Sequence, residues 1–315
     1  MERPWILDGG LATALEDRGL ALHPRLWSAG VFLERPEAVE AVHRAYLRAG
    51  AEILITASYQ MTLAGLEREG LTRSDAVAAL RATVRAARHA CEHEGRAAMV
   101  AASVGSYGAA RADGSEYRGD YGLSPGALVE HHRPTFEILC GSGAELLAIE
   151  TIPSLDEARA FVELLATRRR ARAWISFTCR DGRRLGEGQP IREASRLLDR
   201  CPQVVAIGVN CCAPEHVASL IAEIRRGSGK PIVVYPNSGE AWDPAARRWS
   251  GSASAPSFVE LARGWAAQGA WAIGGCCRIG PGVIRSLALA LGGHAVRERP
   301  QAGTDPTLDA GGVGS

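Results

Sequence analysis

Apolar residues fall along the chain in short dense runs, each stopped by glycine or polar residues, and longer segments of helical spacing separate them. Such runs read as strands buried on both faces, the mark of a parallel sheet. They lie at 5–10, 51–59, 97–104, 145–152, 172–178, 204–210, 232–235 and 271–273. Between them the pattern predicts helices over 36–49, 74–93, 124–140, 191–198, 214–225, 257–268 and 280–291, with another opening at 154. Val39, Val42, Tyr46 and Leu47 repeat every third or fourth residue, and Gly50 supplies the stop. Ser74 is the expected cap of its helix, and Ser154-Leu155-Asp156-Glu157 reads as a capping box. Residues 11–18 read as a short helix, 21–30 as a loop containing Trp27, and 106–123 as a long loop rich in glycine, tyrosine and charge.

Eight strands alternating with helices predict an α/β fold, a single (β/α)8 TIM barrel over residues 1–295. A doubly wound sheet is the alternative, but eight regular units suit closure better. Residues 296–315 lack periodicity and read as a disordered C-terminal tail.

In such a barrel the active site lies where the strands end. The predicted ends carry Asp8, Thr56, Ser58, Ser103, Glu150, Cys211, Asn237 and Cys276-Cys277. Adjacent side chains of a regular strand face opposite ways, so Cys276 and Cys277 aim at one point only past the strand's end. Gly274-Gly275 is expected to permit the turn. Cys211, Cys276 and Cys277 then meet at one rim, where three thiolates select zinc and leave a fourth position open. With Cys212 as a fourth ligand the site would instead be closed and structural. Asp8 and Glu150 are open between binding an ammonium or acting as acid and base and capping the helices after them. Trp27, Tyr107, Tyr117 and Tyr121 lie in rim loops, open between a cage for a sulfonium or quaternary ammonium and simple loop packing. His131-His132 reads as surface.

Composition narrows the chemistry. The chain has 315 residues, 46% apolar, and a formal net charge of +1, so no basic field argues for nucleic acid. No apolar run has the length of a membrane helix, and the start shows no signal peptide. Eight cysteines without disulfide-framework spacing suit a reducing compartment, so a cytoplasmic protein is expected. Its single lysine, Lys230, precedes a strand, at the wrong end of a barrel for imine chemistry. No glycine-rich nucleotide motif follows a strand.

Asp8-Gly9-Gly10, Leu26-Trp27-Ser28-Ala29, Thr56-Ala57-Ser58-Tyr59-Gln60, Glu150-Thr151-Ile152-Pro153, Gly208-Val209-Asn210-Cys211 and Gly274-Gly275-Cys276-Cys277 together resemble the homocysteine S-methyltransferase family, over about residues 5–292. Tyr235-Pro236-Asn237-Ser238-Gly239-Glu240 is similar to the branch that uses S-methylmethionine or S-adenosylmethionine. The resemblance implies a zinc-dependent barrel enzyme that methylates L-homocysteine to methionine. It implies Cys211, Cys276 and Cys277 as zinc ligands, and Asp8, Gly9, Glu150 and Asn210 around homocysteine. Cys212 falls outside that ligand set. Trp27, Tyr107 and Tyr121 are the donor-pocket candidates. The longer C-terminal segment of the betaine-using relatives and the added domains of the cobalamin-dependent ones are not seen, which favours a free sulfonium donor. A monomer or weak homo-oligomer is expected. A selenol or other thiol acceptor, a zinc lyase or hydrolase, and a non-catalytic zinc- or thiol-binding barrel stand as alternatives.

Overall fold

A computed structural model describes residues 2–243, 248–250 and 257–292, with backbone alone at 241–243 and 248–250. Eight parallel strands are β1 (Trp5–Ile6), β2 (Ile53–Ile55), β3 (Met99–Val104), β4 (Leu146–Ile152), β5 (Ala173–Phe177), β6 (Val204–Asn210), β7 (Ile232–Tyr235) and β8 (Ala270–Ile273). They pair in the order β1-β8-β7-β6-β5-β4-β3-β2. A parallel bridge from Leu7 to Ile53 joins the two ends, and the sheet closes into a (β/α)8 barrel. Helices Pro36–Ala49, Arg73–His93, Pro125–Cys140, Leu155–Ala166, Ile191–Asp199, Val217–Arg225, Phe258–Ala267 and Pro281–Ala290 follow the strands in turn.

The period-2 alternation of the strands separates two cores. Trp5 and Leu7, Ile53, Met99 and Ala101, Leu146 and Ala148, Trp174, Ala206, Val233 and Tyr235, and Ala272 come from all eight strands and pack together inside the barrel. The residues between them, such as Leu147, Ile149, Ile175 and Ile207, pack outward on the helices. Inside, alanines face tryptophans, so small and large side chains share each layer. This register matters for the site. Counting by twos from Met99 and Leu146 puts Ser103 and Glu150 on the same inner face, at its C-terminal end.

Several expectations differ in detail. Thr72, not Ser74, caps the helix from Arg73, its hydroxyl accepting from Asp75 N. The helix Ser28–Glu34 begins inside the expected 21–30 loop. The 106–123 segment holds a short helix, Tyr107–Arg111, and a 3-10 turn, Ser115–Tyr117. Helix Leu63–Arg68 and the antiparallel hairpin Ala241–Asp243 with Arg248–Ser250 were not expected. Only half of the expected capping box forms: Ser154 Oγ accepts from Glu157 N, but the Glu157 carboxylate leaves for other partners. His132 is buried, not superficial, because its Nε2 lies 2.8 Å from a fully buried Glu157 Oε1. The expected boundary near 295 and the tail lie outside the described residues. No helix among those described is long and apolar enough to cross a membrane.

Candidate metal centre and substrate site

β6 ends at Asn210, and Cys211 follows with φ of 47°, in the left-handed region that non-glycine residues seldom occupy. That turn brings its sulfur inward, and Thr178 Oγ1 donates to the Cys211 carbonyl at 3.2 Å. After β8 the chain passes Gly274-Gly275 to the other two cysteines. These glycines permit the turn by close approach, not by a positive φ. A Cβ on Gly274 would sit 2.5 Å from Leu7 Cβ, and one on Gly275 2.2 Å from Ile279 Cγ2. The left-handed residue there is Arg278, at φ 66°. The loop after β7 holds the pair: Cys276 N donates to Pro236 O at 2.8 Å, and Cys277 N to Asn237 Oδ1 at 3.1 Å.

The sulfurs of Cys211, Cys276 and Cys277 lie within 4.8 Å of one another. Tetrahedral zinc, with bonds of about 2.3 Å, holds thiolates roughly 3.8 Å apart, so the donor set fits such an ion after small shifts. Hydrogen bonds among the three thiols pull in both directions, and burial and then neighbouring negative charge leave each of them well above the ordinary thiol range. A divalent cation reverses that balance. Cys212 belongs to the outer core and stands apart from the cluster. All eight cysteines are free thiols.

Two buried carboxylates share this mouth. Asp8 Oδ2 accepts from Ile55 N at 2.9 Å, while Oδ1 is buried with no hydrogen-bond partner. Glu150 Oε1 accepts from Ser103 Oγ at 2.5 Å. Burial raises Asp8 well above the carboxylate range, and the charge of Glu150 adds to this. Burial likewise raises Glu150 to about 7, against hydrogen bonds from Ser103 and Tyr235. Among the described residues no cationic side chain pairs with either acid, and the two lie within electrostatic reach of each other. Neither caps a helix; Gly10 and Ser154 take those positions.

Gly9 is required by packing, since a Cβ there would lie 2.1 Å from Ile279 O. Asn210 directs its amide at Thr151: Oδ1 accepts from Thr151 N and Nδ2 donates to Thr151 Oγ1, both at 2.8 Å. Tyr107 and Tyr121 meet edge to face, with ring centroids 4.9 Å apart, and Tyr107 also packs on His131 at 4.8 Å. Trp27 precedes the helix Ser28–Glu34 in another loop, at φ 52°. Tyr117 is within electrostatic reach of two of the thiols, raised by burial first and then by Cys211 and Cys277. Tyr59 is raised by burial, then by Glu116 and Cys211. Sequence reasoning placed Tyr117 in the rim loops but chose Trp27, Tyr107 and Tyr121, not Tyr117, for the donor pocket. Tyr59, Tyr235 and Glu116 were not singled out; the aromatic-rich loop was the available signal for Glu116.

The family model for homocysteine S-methyltransferase matches residues 5–291. The chain belongs to this family. Among homocysteine S-methyltransferases, YbgG of Bacillus subtilis is 44% identical over 292 residues, 90% of this chain and 93% of its own. The Escherichia coli protein is 45% identical over 289 residues, 90% of this chain and 93% of its own. The crystal structure of the Escherichia coli homocysteine methyltransferase MmuM in its metallated form superposes with a TM-score of 0.81 at 43% identity, covering 91% of this chain and 96% of that one. A selenocysteine Se-methyltransferase of Brassica oleracea var. italica is 40% identical over 301 residues, 90% of this chain and 87% of its own.

Proposed function

We propose that this homocysteine S-methyltransferase family member transfers a methyl group from a sulfonium, S-methylmethionine or S-adenosylmethionine, to the thiol of L-homocysteine, with zinc held by Cys211, Cys276 and Cys277. The observation that carries the reading is the convergence of three thiols within 4.8 Å at the barrel mouth that also holds Asp8 and Glu150. Soft sulfur donors favour zinc among common divalent ions. Zinc bound there supplies a Lewis acid that keeps an incoming thiol deprotonated at neutral pH.

The chain's own residues do the rest. The amino group of homocysteine is the missing cation between Asp8 and Glu150, and its N–H groups satisfy the orphaned Asp8 Oδ1. Ser103 and Tyr235 hold the Glu150 carboxylate in place from inside the barrel. Anchoring the amino end fixes where the sulfur can lie, and orientation of two reactants is a large part of a transfer barrier. The methyl group needs no proton acceptor. Eight free thiols suit a reducing compartment, and we read the protein as cytoplasmic.

The selenocysteine-methylating relative favours a second reading, in which a selenol is the acceptor at the same site. The test is methionine formation by reduced, zinc-loaded protein offered S-methylmethionine, S-adenosylmethionine or betaine, with selenocysteine run as a competing acceptor. Cys276→Ser is expected to lose both stoichiometric zinc and turnover. Full zinc content in that variant would remove Cys276 from the ligand set, and no turnover by zinc-replete wild type with any sulfonium would sink the reading.

A further inference from the structure

The scheme above leaves Glu116 unused, a half-buried acid with one carboxylate oxygen fully buried. Glu116 lies in the 3-10 turn Ser115–Tyr117, which packs against β4. Gly186 locates that packing at the site end of the strand: a Cβ there would be 2.6 Å from Tyr117 O and 3.1 Å from Pro153 Cβ. On the other side Gly108 lets the turn approach, since its Cβ would be 2.2 Å from Glu116 N. The turn is thus clamped from two sides, and Glu116 Oε2 is buried with no hydrogen-bond partner.

The surroundings of this carboxylate are those of the site. Its charge acts on the phenols of Tyr59, Tyr117 and Tyr121, and the first two of these also sense Cys211. Arg118 and Asp113 are its charged neighbours. Arg118 donates to Gly114 O at 3.3 Å, and no ion pair reaches Glu116 among the described residues. Burial raises the carboxyl to about 7, as expected for an acid awaiting a partner.

We propose that Glu116 receives the α-ammonium group of an amino-acid methyl donor, and this assignment rests on the methyl-transfer reading. Two amino-acid substrates bring two ammonium groups, and Asp8 with Glu150 answers only the acceptor's. An orphaned carboxylate oxygen needs an N–H. A sulfonium centre has none to give, nor has the trimethylammonium of betaine; the α-ammonium of S-methylmethionine or S-adenosylmethionine has three. The neighbouring phenol rings add cation–π attraction.

The test is a two-by-two cycle with zinc-loaded protein: wild type and Glu116→Gln, each with S-methylmethionine and with γ-dimethylsulfoniobutyrate, which keeps the sulfonium, the chain length and the carboxylate but lacks the amino group. Wild type is expected to favour S-methylmethionine in kcat/KM by about tenfold to a hundredfold, the range for a hydrogen bond to a charged group. Glu116→Gln is expected to lose most of that preference while zinc content and the homocysteine KM stay unchanged. Calorimetric binding of S-methylmethionine should weaken in parallel. Equal losses with both donors, or none, would overturn the assignment, as would a wild type indifferent to the amino group. Wild type inactive with both these donors and with S-adenosylmethionine would overturn the underlying reading and this assignment with it.

Discussion

Asn210→Ala probes how the rim is braced. Asn210 is 1% exposed and makes both of its 2.8 Å hydrogen bonds to Thr151. Thr151 follows Glu150 in the chain and has φ of 59°, a left-handed conformation that a β-branched residue adopts only under constraint. Removing the amide orphans a buried backbone N–H, which costs about 1–3 kcal/mol. The strained φ, held at a cost of about 1–3 kcal/mol, is then free to relax and carry Glu150 with it. Strain relief offsets part of the lost hydrogen bonding, so we expect a net loss of about 1–2 kcal/mol, and for a chain of this size a Tm lower by roughly 3–5 °C. The homocysteine KM should rise while bound zinc stays stoichiometric. Calorimetry and initial-rate kinetics on zinc-loaded protein measure both. In a Thr151→Gly background, where the left-handed φ costs little, that offset is lost and the two losses should not add. Additive losses, or a Tm within about 2 °C of wild type, would refute the bracing role.

His132→Ala should destabilise by about 1–3 kcal/mol, because it removes a buried hydrogen-bond partner of Glu157 Oε1. Glu157 also accepts from Tyr107 N at 2.5 Å, so hydrogen exchange should quicken across 106–123; unchanged protection there would separate the pair from the loop. His43 is fully buried, and burial lowers its pKa from 6.5 to about 4. The unfolded chain therefore binds the extra proton first: this stability is whole above pH 6.5 and falls as pH drops toward 4, by about 2 kcal/mol at pH 5. His43→Leu should remove that slope, and parallel denaturation curves for variant and wild type between pH 7 and 5 would contradict it. Gly208→Ala would put a Cβ 2.0 Å from Val233 O, so a loss of about 3 kcal/mol or more is expected. Gly229→Ala, with nothing within 4 Å, is the neutral control; equal effects would point away from sterics.

The eight strands were legible because strands buried on both faces have to be apolar throughout and have to stop at residues that tolerate turning. The cysteines were legible for a related reason: polar or reactive groups at strand ends stand out against apolar runs. Lys230 lies before β7, as its place in the sequence implies. Its Nζ donates to the carbonyls of Cys201 and Val204, at the strands' N-terminal side. His132 was misread because a helical pattern does not say which polar residue meets a partner on the next helix. Its burial depends on Glu157, 25 residues further on.

Amino-acid order alone thus determined the number and direction of the strands, the rim on which chemistry gathers and the thiols able to share an ion. These follow from local patterning, where burial period and chain direction are set within a few residues. Tertiary structure decided what each rim group faces. Whether Glu150 points into the barrel depends on strand register. Whether Asn210 meets substrate or Thr151 depends on a contact across β4 and β6. Which tyrosine of the 106–123 segment comes within electrostatic reach of the thiols depends on clamps from Glu157, Gly186 and Glu187. Irregular loops have no period to count, so the direction of their side chains is set by distant residues that only the closed barrel brings near.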